Sequence, residues 1–521
     1  MHIIRHSFLK LIPASLSGIL LFLSFPKWEI SFLVLIALIP LYLSLEDESP
    51  LFAFILGLTT GITFYLGLLY WIIFVMKTYG GLPYFLSFLI LLILVLYLSL
   101  YPALFSLLFS ILKEKTKKLS FLLFPFIWII LEYLCIYLFT GFPWGILGYT
   151  LYKKTILIQI ADIAGVLGIS FFILLTNGVL WEFLKYYPLK KRKFPKVEIL
   201  FLIFLWTGVL GYGVYKLKLN KYDYLENKVK IGIVQGNIEQ NLKCDKDYID
   251  TILGKYVGLT KKLFHKKPDL VVWPETAIPF YFGFDIDHSK KIYKLPSEGN
   301  FYLLTGSPAF RFLDKTYKFT NSAFLISPKK EIIDRYDKIH LVPFGEYVPL
   351  KRFLFFVNKM VNEVGDFIPG REFKVFSCPF GKFSVLICYE IIFPDICRMM
   401  VKNGAEFITN ITNDAWYGKT GAPYQHLAIS TLRAIENRRY LIRAANTGIS
   451  AIISPEGKII KSSALFTNAF ISDNVYLKRE ISFYTKFGNW LVYAGFFIVL
   501  FNVFIIYIKE KLKCWKLNSL I

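Results

Sequence analysis

The chain has 521 residues, 55% of them hydrophobic, and a mean hydropathy of +0.51. This excludes a single ordinary soluble enzyme domain, and the length allows two or more units. The formal net charge of +23 fits either a surface for polyanions or the topology charges of a membrane protein, and the placement of the charges decides between them.

Apolar segments of near-spanning length fall at about 11–25, 30–45, 51–75, 84–112, 120–139, 157–184, 197–215 and 487–508. A span needs about 20 apolar residues, so the first two are short. Arg5, His6 and Lys10 precede the first, but no small-x-small site follows it, so it reads as a retained anchor. With the N-terminus inside, the cytoplasmic pieces carry sixteen Lys and Arg, notably in "KEKTKK", "KYYPLKKRKFPK" and "KEKLKCWK". The short outer loops carry four: Lys27, Lys77, Lys153 and Lys154. The asymmetry predicts both termini inside and residues from about 216 to 486 outside. It also accounts for the basic runs, so no nucleic-acid partner is expected.

After Tyr222 the composition changes. "VKIGIVQG" (229–236), "DLVVWPE" (269–275), "FYLLTG" (301–306), "SAFLISP" (322–328), "FSVLICYE" (383–390) and "AEFITN" (405–410) read as buried strands ending at Gly, Pro or polar residues. Helical patterns cover 246–265, 394–403 and 422–437, and the mixture predicts one layered α/β domain. The stretch 281–300 reads as helix or loop.

Six cysteines are present, at 135, 244, 378, 388, 397 and 514. There is no CxxC and no histidine cluster at ligand spacing, so no metal is expected. Cys378 and Cys397 read as ordinary thiols that a disulfide could join. Cys388 differs, because the end of a buried strand is where α/β folds present chemistry. By itself it would read as a buried structural thiol.

Three further stretches change that reading. Glu275, in "VVWPETAIP", ends another strand; "YDKIHLVPFGEYVP" holds Lys338 and Glu346; "NITNDAWYGKTGAPYQH" supplies a polar turn beyond Cys388. A cysteine nucleophile needs a base, which a carboxylate of raised pKa can be, and a lysine can stabilise an oxyanion. In this order the stretches resemble the nitrilase superfamily, over about residues 228–478. With "LSFPKW", "YWIIFVMKTYGG", "TGFPWGILGY", "VQGNIEQNLK" and "RAANTGISAII", nearly the whole chain resembles the apolipoprotein N-acyltransferase family.

The resemblance implies a transmembrane domain (1–217, about seven helices), an extracytoplasmic nitrilase-like αββα sandwich (218–486), and a final span with its tail (487–521). It implies Glu275 as base, Lys338 as catalytic lysine, Cys388 as the thioester-forming nucleophile and Glu346 as a second essential carboxylate. Tyr389 and Glu390 would hold the site or substrate, with Trp416 near its entrance and Trp144 at the membrane boundary. Many members carry tryptophan where this chain has Cys244, which removes the basis for an aromatic latch there. The expected donor is a phospholipid and the acceptor a diacylglyceryl apolipoprotein, at an inner membrane facing a periplasm. The chain would act as a monomer without cofactor. A membrane-tethered amidase would keep the triad without needing lipid-facing aromatics. A transporter would need ionisable residues within spans, where chiefly Glu132 and Glu182 occur.

Overall fold

The computed structural model describes residues 8–116, 120–189, 194–219, 227–243, 245–313, 315–348 and 367–518, and Cys244 lies outside them. The chain divides into two units. One comprises Met1–Tyr70, Phe88–Gly213 and Phe487–Ile521, and the other Trp71–Ser87 and Val214–Lys486.

Six helices among the described residues, lying wholly or mostly in the first unit, are long and apolar enough to cross a membrane: Pro50–Leu69, Tyr84–Lys113, Phe121–Thr140, Leu157–Lys185, Lys196–Lys218 and Trp490–Leu512. Leu11–Ser24 is a shorter apolar helix. The expected span at 30–45 is instead broken into a 3-10 turn, Ser31–Leu35, and a short helix, Ile39–Ser44. Buried polar side chains make the break tolerable. Asn177 Oδ1 accepts from Leu38 N (2.9 Å), its Nδ2 donates to Val34 O (2.8 Å), and Ser17 Oγ accepts from Leu41 N (2.8 Å). The expected span at 51–75 ends at Leu69, and a separate helix, Trp71–Thr78, packs with the second unit. Glu132 is a packed acid, its Oε1 accepting from Trp128 Nε1 and Leu147 N, both at 3.0 Å.

The second unit contains two six-stranded sheets. The first sheet contains β1 (Lys228–Gln235), β2 (Leu270–Val272), β3 (Tyr302–Leu313), β4 (Thr316–Ile326) and β5 (Ile332–Asp337). The second contains β6 (Phe376–Cys378), β7 (Gly381–Ile387), β8 (Phe407–Thr412), β9 (Leu441–Ala445), β10 (Ala451–Ile453) and β11 (Ile459–Ser462). The last strand, β12 (Ala469–Tyr476), returns to the first sheet, giving orders β12-β1-β2-β3-β4-β5 and β11-β10-β9-β8-β7-β6. Each sheet has three parallel central strands, β1-β2-β3 and β7-β8-β9, flanked by antiparallel ones. Central strands covered on both faces read as near-continuous apolar runs, which explains "IGIV", "LVV" and "VLI". Helices Ile249–Lys261 and Ile286–Gly299 accompany the first sheet, and Pro394–Lys402 and Ala422–Asn437 the second, completing an αββα arrangement. Trp273, Tyr256, Ile292 and Leu303 belong to the core of the first layer pair.

The strands expected from sequence are present, with β3 and β4 extending well beyond their apolar runs as a hairpin. Strands β5, β6 and β9–β12 lacked the compact apolar signature. Cys378 and Cys397 are free thiols, not a disulfide.

Candidate active site

Parallel strands expose their C-terminal ends together, and the candidate residues are found there. Glu275 follows β2 through Trp273-Pro274, Lys338 follows β5 directly, and Cys388 follows β7 at φ +52°. That left-handed φ is uncommon for a side chain with a Cβ and reorients the chain as β7 passes into the 3-10 turn Cys388–Ile392. Opposite Glu275, Gly306 is required by space, since a Cβ there would lie 2.6 Å from Thr276 N.

Glu275, Lys338 and Cys388 are each at most 6% exposed. Lys338 Nζ lies 3.0 and 2.9 Å from the two oxygens of Glu346 and 3.8 Å from Glu275 Oε1. Asn321, on β4, ties the carboxylates together: its Nδ2 donates to Glu275 Oε1 and to Glu346 Oε1, both at 2.8 Å. Asn413 N donates to Glu275 Oε2 (2.9 Å), and Val342 N to Glu346 Oε2 (2.7 Å). Both carboxylates thus have fixed orientations. Burial alone would discharge Lys338, but the carboxylates of Glu346 and Glu275 outweigh it and hold its pKa above the usual lysine value.

Burial, reinforced by Glu275 and opposed by Lys338, pushes the Cys388 thiol up. A thiol shifted in that direction would need a base in order to act as a nucleophile. Glu390 is fully buried under the site. Its oxygens accept from Tyr336 OH (2.7 Å), Ile339 N (2.6 Å), His340 N (3.2 Å) and Ile387 N (2.7 Å), tying the lysine loop to the cysteine turn. Burial raises its pKa to about 7 despite those donors. Tyr389 is buried and packs edge-on to Phe393.

Trp416 lies on the 3-10 turn Asp414–Tyr417, half-buried, with Tyr79 edge-on at 4.9 Å. Tyr79 OH also donates to Ala415 O (3.1 Å), and Trp71 packs edge-on to Tyr417 at 5.0 Å. Trp144 belongs to the other unit, where it is buried and stacked on Phe142.

Sequence reasoning missed Asn321, which sits in a strand with nothing local to mark it, and the backbone donors of Asn413 and Val342. Among the described residues there is no group of His, Cys, Asp and Glu able to hold a metal.

Residues 230–479 match the carbon-nitrogen hydrolase family, and residues 17–179 the apolipoprotein N-acyltransferase N-terminal domain. The apolipoprotein N-acyltransferase of Geobacter metallireducens is 42% identical over 491 residues, 93% of this chain and 94% of its own. The chain belongs to the apolipoprotein N-acyltransferase family. Other relatives of that name are those of Aquifex aeolicus, 34% identical over 88% of this chain and 96% of its own, and Pasteurella multocida, 31% identical over 92% and 91%. Among solved structures, an amidase from Nesterenkonia sp. AN1 aligns with 51% of this chain and 99% of its own at 16% identity and a TM-score of 0.37. As a member of the N-acyltransferase family, the chain is an enzyme.

Proposed function

We propose that this chain moves an acyl chain from a phospholipid to the N-terminal amine of a diacylglyceryl-cysteine apolipoprotein, through a thioester on Cys388. The observation that carries this reading is a buried thiol grouped with a lysine and an oriented carboxylate, in a chain with helices long and apolar enough to span a membrane. Glu275 accepts the thiol proton as sulfur attacks the ester carbonyl, and Lys338 stabilises the oxyanion. The C–O bond breaks, and the proton on Glu275 passes to the departing lysophospholipid oxygen. The acceptor amine then attacks the thioester carbonyl and Glu275 takes its proton; the C–S bond breaks as the amide forms, and the proton on Glu275 returns to sulfur, regenerating the thiol. One nucleophile serving two half-reactions gives ping-pong kinetics.

Both substrates carry acyl chains, each costing about 0.8 kcal/mol per CH₂ moved into water, which supports keeping the chemistry on a membrane-bound chain. The same triad could serve a small amide, but relatives sharing over nine-tenths of this chain are named for acyl transfer. Tyr389 and Trp416 are proposed to contact substrate and Trp144 to face the membrane boundary, in a monomer that needs no cofactor. The charge asymmetry supports an inner-membrane protein with residues 218–486 in the periplasm and both termini in the cytoplasm.

Intact-mass measurement of the purified chain after incubation with one defined phospholipid tests the reading. One added acyl mass, released by neutral hydroxylamine and absent in Cys388→Ser, is expected. Hydrolysis of small amides with no lipid adduct would replace acyl transfer by the amidase reading. For orientation, a cysteine at 288 should react with an impermeant reagent in spheroplasts and one at 190 should not; the reverse would invert the topology.

A further inference from the structure

The stretches "VQGNIEQNLK", "NITNDAWYG" and "RAANTGISAII" meet beside Glu275, and the acyl-transfer steps do not use the three amide side chains they bring there. Asn446, completely buried just beyond β9, pairs with the backbone of Ile238: Ile238 N donates to its Oδ1 (2.9 Å), and its Nδ2 donates to Ile238 O (2.7 Å). Tyr256 OH also donates to Oδ1 (3.2 Å), and Nδ2 gives its other hydrogen to Asn413 Oδ1 (3.0 Å). Four bonds on four sites leave the Asn446 amide a single orientation. Asn413 Nδ2 in turn donates to Gln240 Oε1 (2.6 Å). The Asn413 side chain is thus held at both ends, by Asn446 at its oxygen and by Gln240 at its nitrogen.

What these bonds hold is a backbone amide. Asn413 lies past the last residue of β8, at φ −121° and ψ 85°, and its N–H is given to Glu275 Oε2 (2.9 Å). Beyond the strand, the aim of that N–H depends on what fixes the residue carrying it. The segment that supplies Gln240 also reaches Glu275 directly. Lys243, buried at the end of the short helix Gln240–Lys243, donates from Nζ to Glu275 O (3.3 Å). The residue after that carbonyl, Thr276, has φ +49°, a conformation that a β-branched side chain adopts only where its surroundings hold it. One short segment therefore braces Glu275 twice, at its carbonyl and, through Asn413, at its carboxylate.

We propose that Gln240 and Lys243 are positioning residues for Glu275, keeping its carboxylate aimed for the proton transfers at Cys388. This rests on Glu275 being the base, and it gives the segment after β1 a part in the reaction. A base misplaced by a fraction of its reach loses rate steeply, because proton transfer needs donor and acceptor within hydrogen-bond distance. Asn446 is the fixed end of the chain, and Gln240 is the end that a half-buried side chain supplies. Gln240 can therefore be altered without opening the core.

The test is steady-state acyl transfer by the full-length chain in detergent, from one defined phospholipid to a diacylglyceryl-cysteine peptide, with kcat and KM separated. Gln240→Met keeps the length of the side chain and removes the acceptor. Its kcat is expected to fall about 3–10-fold, the effect of one neutral hydrogen bond, with KM for both substrates within about twofold of wild type. Gln240→Glu still offers an oxygen to Asn413 Nδ2 and should return kcat to within about twofold of wild type. Lys243→Met should lower kcat by about tenfold or more, again with KM held, because its bond is charge-assisted. If Gln240→Met does not fold, Lys243→Met decides by the same split. A wild-type kcat in either folded Met variant overturns the proposal. So does a Glu variant as slow as the Met one, which would leave Gln240 only a packing role, or a loss confined to KM, which would make it a substrate contact. A wild-type chain that takes no acyl group from phospholipid would instead sink the acyl-transfer reading alone. The same variants are then compared on hydrolysis of a small amide, where Glu275 is still the base and the same fall in kcat is expected.

Discussion

The two sheets of the second unit contribute opposite kinds of chemistry. The first sheet supplies the charged half: Glu275, Lys338 and Glu346, cross-linked by Asn321 within 2.8–3.8 Å. The second supplies a thiol whose pKa burial has raised, with the buried Asp414 carboxylate near it adding in the same direction. Near-identical topologies thus carry a cluster of charged groups on one side and a thiol on the other. Both sides pair buried ions directly, Lys338 with Glu346 on the first and Arg443 with Asp414 on the second; what differs is that the reacting group of the second side, the sulfur, has no such pair.

The largest break in this comparison is expected from Lys338→Met, which keeps much of the stem and removes the cation. Acylation by phospholipid should fall by roughly 10²–10³ or more, the usual cost of losing an oxyanion donor, with the thermal transition still cooperative. Near wild-type turnover would remove Lys338 from its role. Next is Asn321→Leu, which strips one charge-assisted donor from each of the two carboxylates. A loss of about 10–100-fold in acylation rate is expected, matching about 1.5–3 kcal/mol for hydrogen bonds to charged groups. An unchanged rate would show that Lys338 and the backbone donors of Asn413 and Val342 suffice to orient the pair.

A smaller effect is expected from Trp416→Ala. Losing an aromatic surface should weaken use of lipid substrate several-fold while iodoacetamide still reaches Cys388 at its normal rate. Equal loss of both would assign Trp416 to holding the turn, through Tyr79, instead of to substrate. The smallest effect concerns His340, whose ring packs tilted against Phe393 with centroids 3.8 Å apart. Burial, helped by Lys338, lowers its pKa to about 4. The unfolded chain protonates this ring near pH 6.5, so its contribution to stability is present above that pH and is lost as pH falls through 4. His340→Gln should flatten the decline in thermal stability between pH 6.5 and 4; an unaltered slope would place its cause elsewhere.

Strand ends were legible because a buried parallel strand is a short apolar run with a sharp polar stop. That pattern placed Glu275 and Cys388 at strand ends, whereas β5, which leads into Lys338, has no such run; long apolar helices are equally local signals. The amphipathic helices at 394–403 and 422–437 were also found nearly to the residue. The break at 31–44 was not legible, because it depends on Asn177 and Ser17 reaching it from other helices. Nor was the αββα return of β12 to the first sheet, since its alternating, half-exposed pattern names no partner.

The sequence by itself determined which chemical groups the chain could bring to its strand ends, because residue type and apolar periodicity are properties of a few neighbouring residues. Only the tertiary structure decided their state. Asn321 meets Glu275 across 46 residues, Asn413 meets it across 138, and Arg443 meets Asp414 across 29. Charge on a buried group depends on such distant partners, since removing water leaves nothing else to stabilise an ion, and no spacing along the chain records who those partners are.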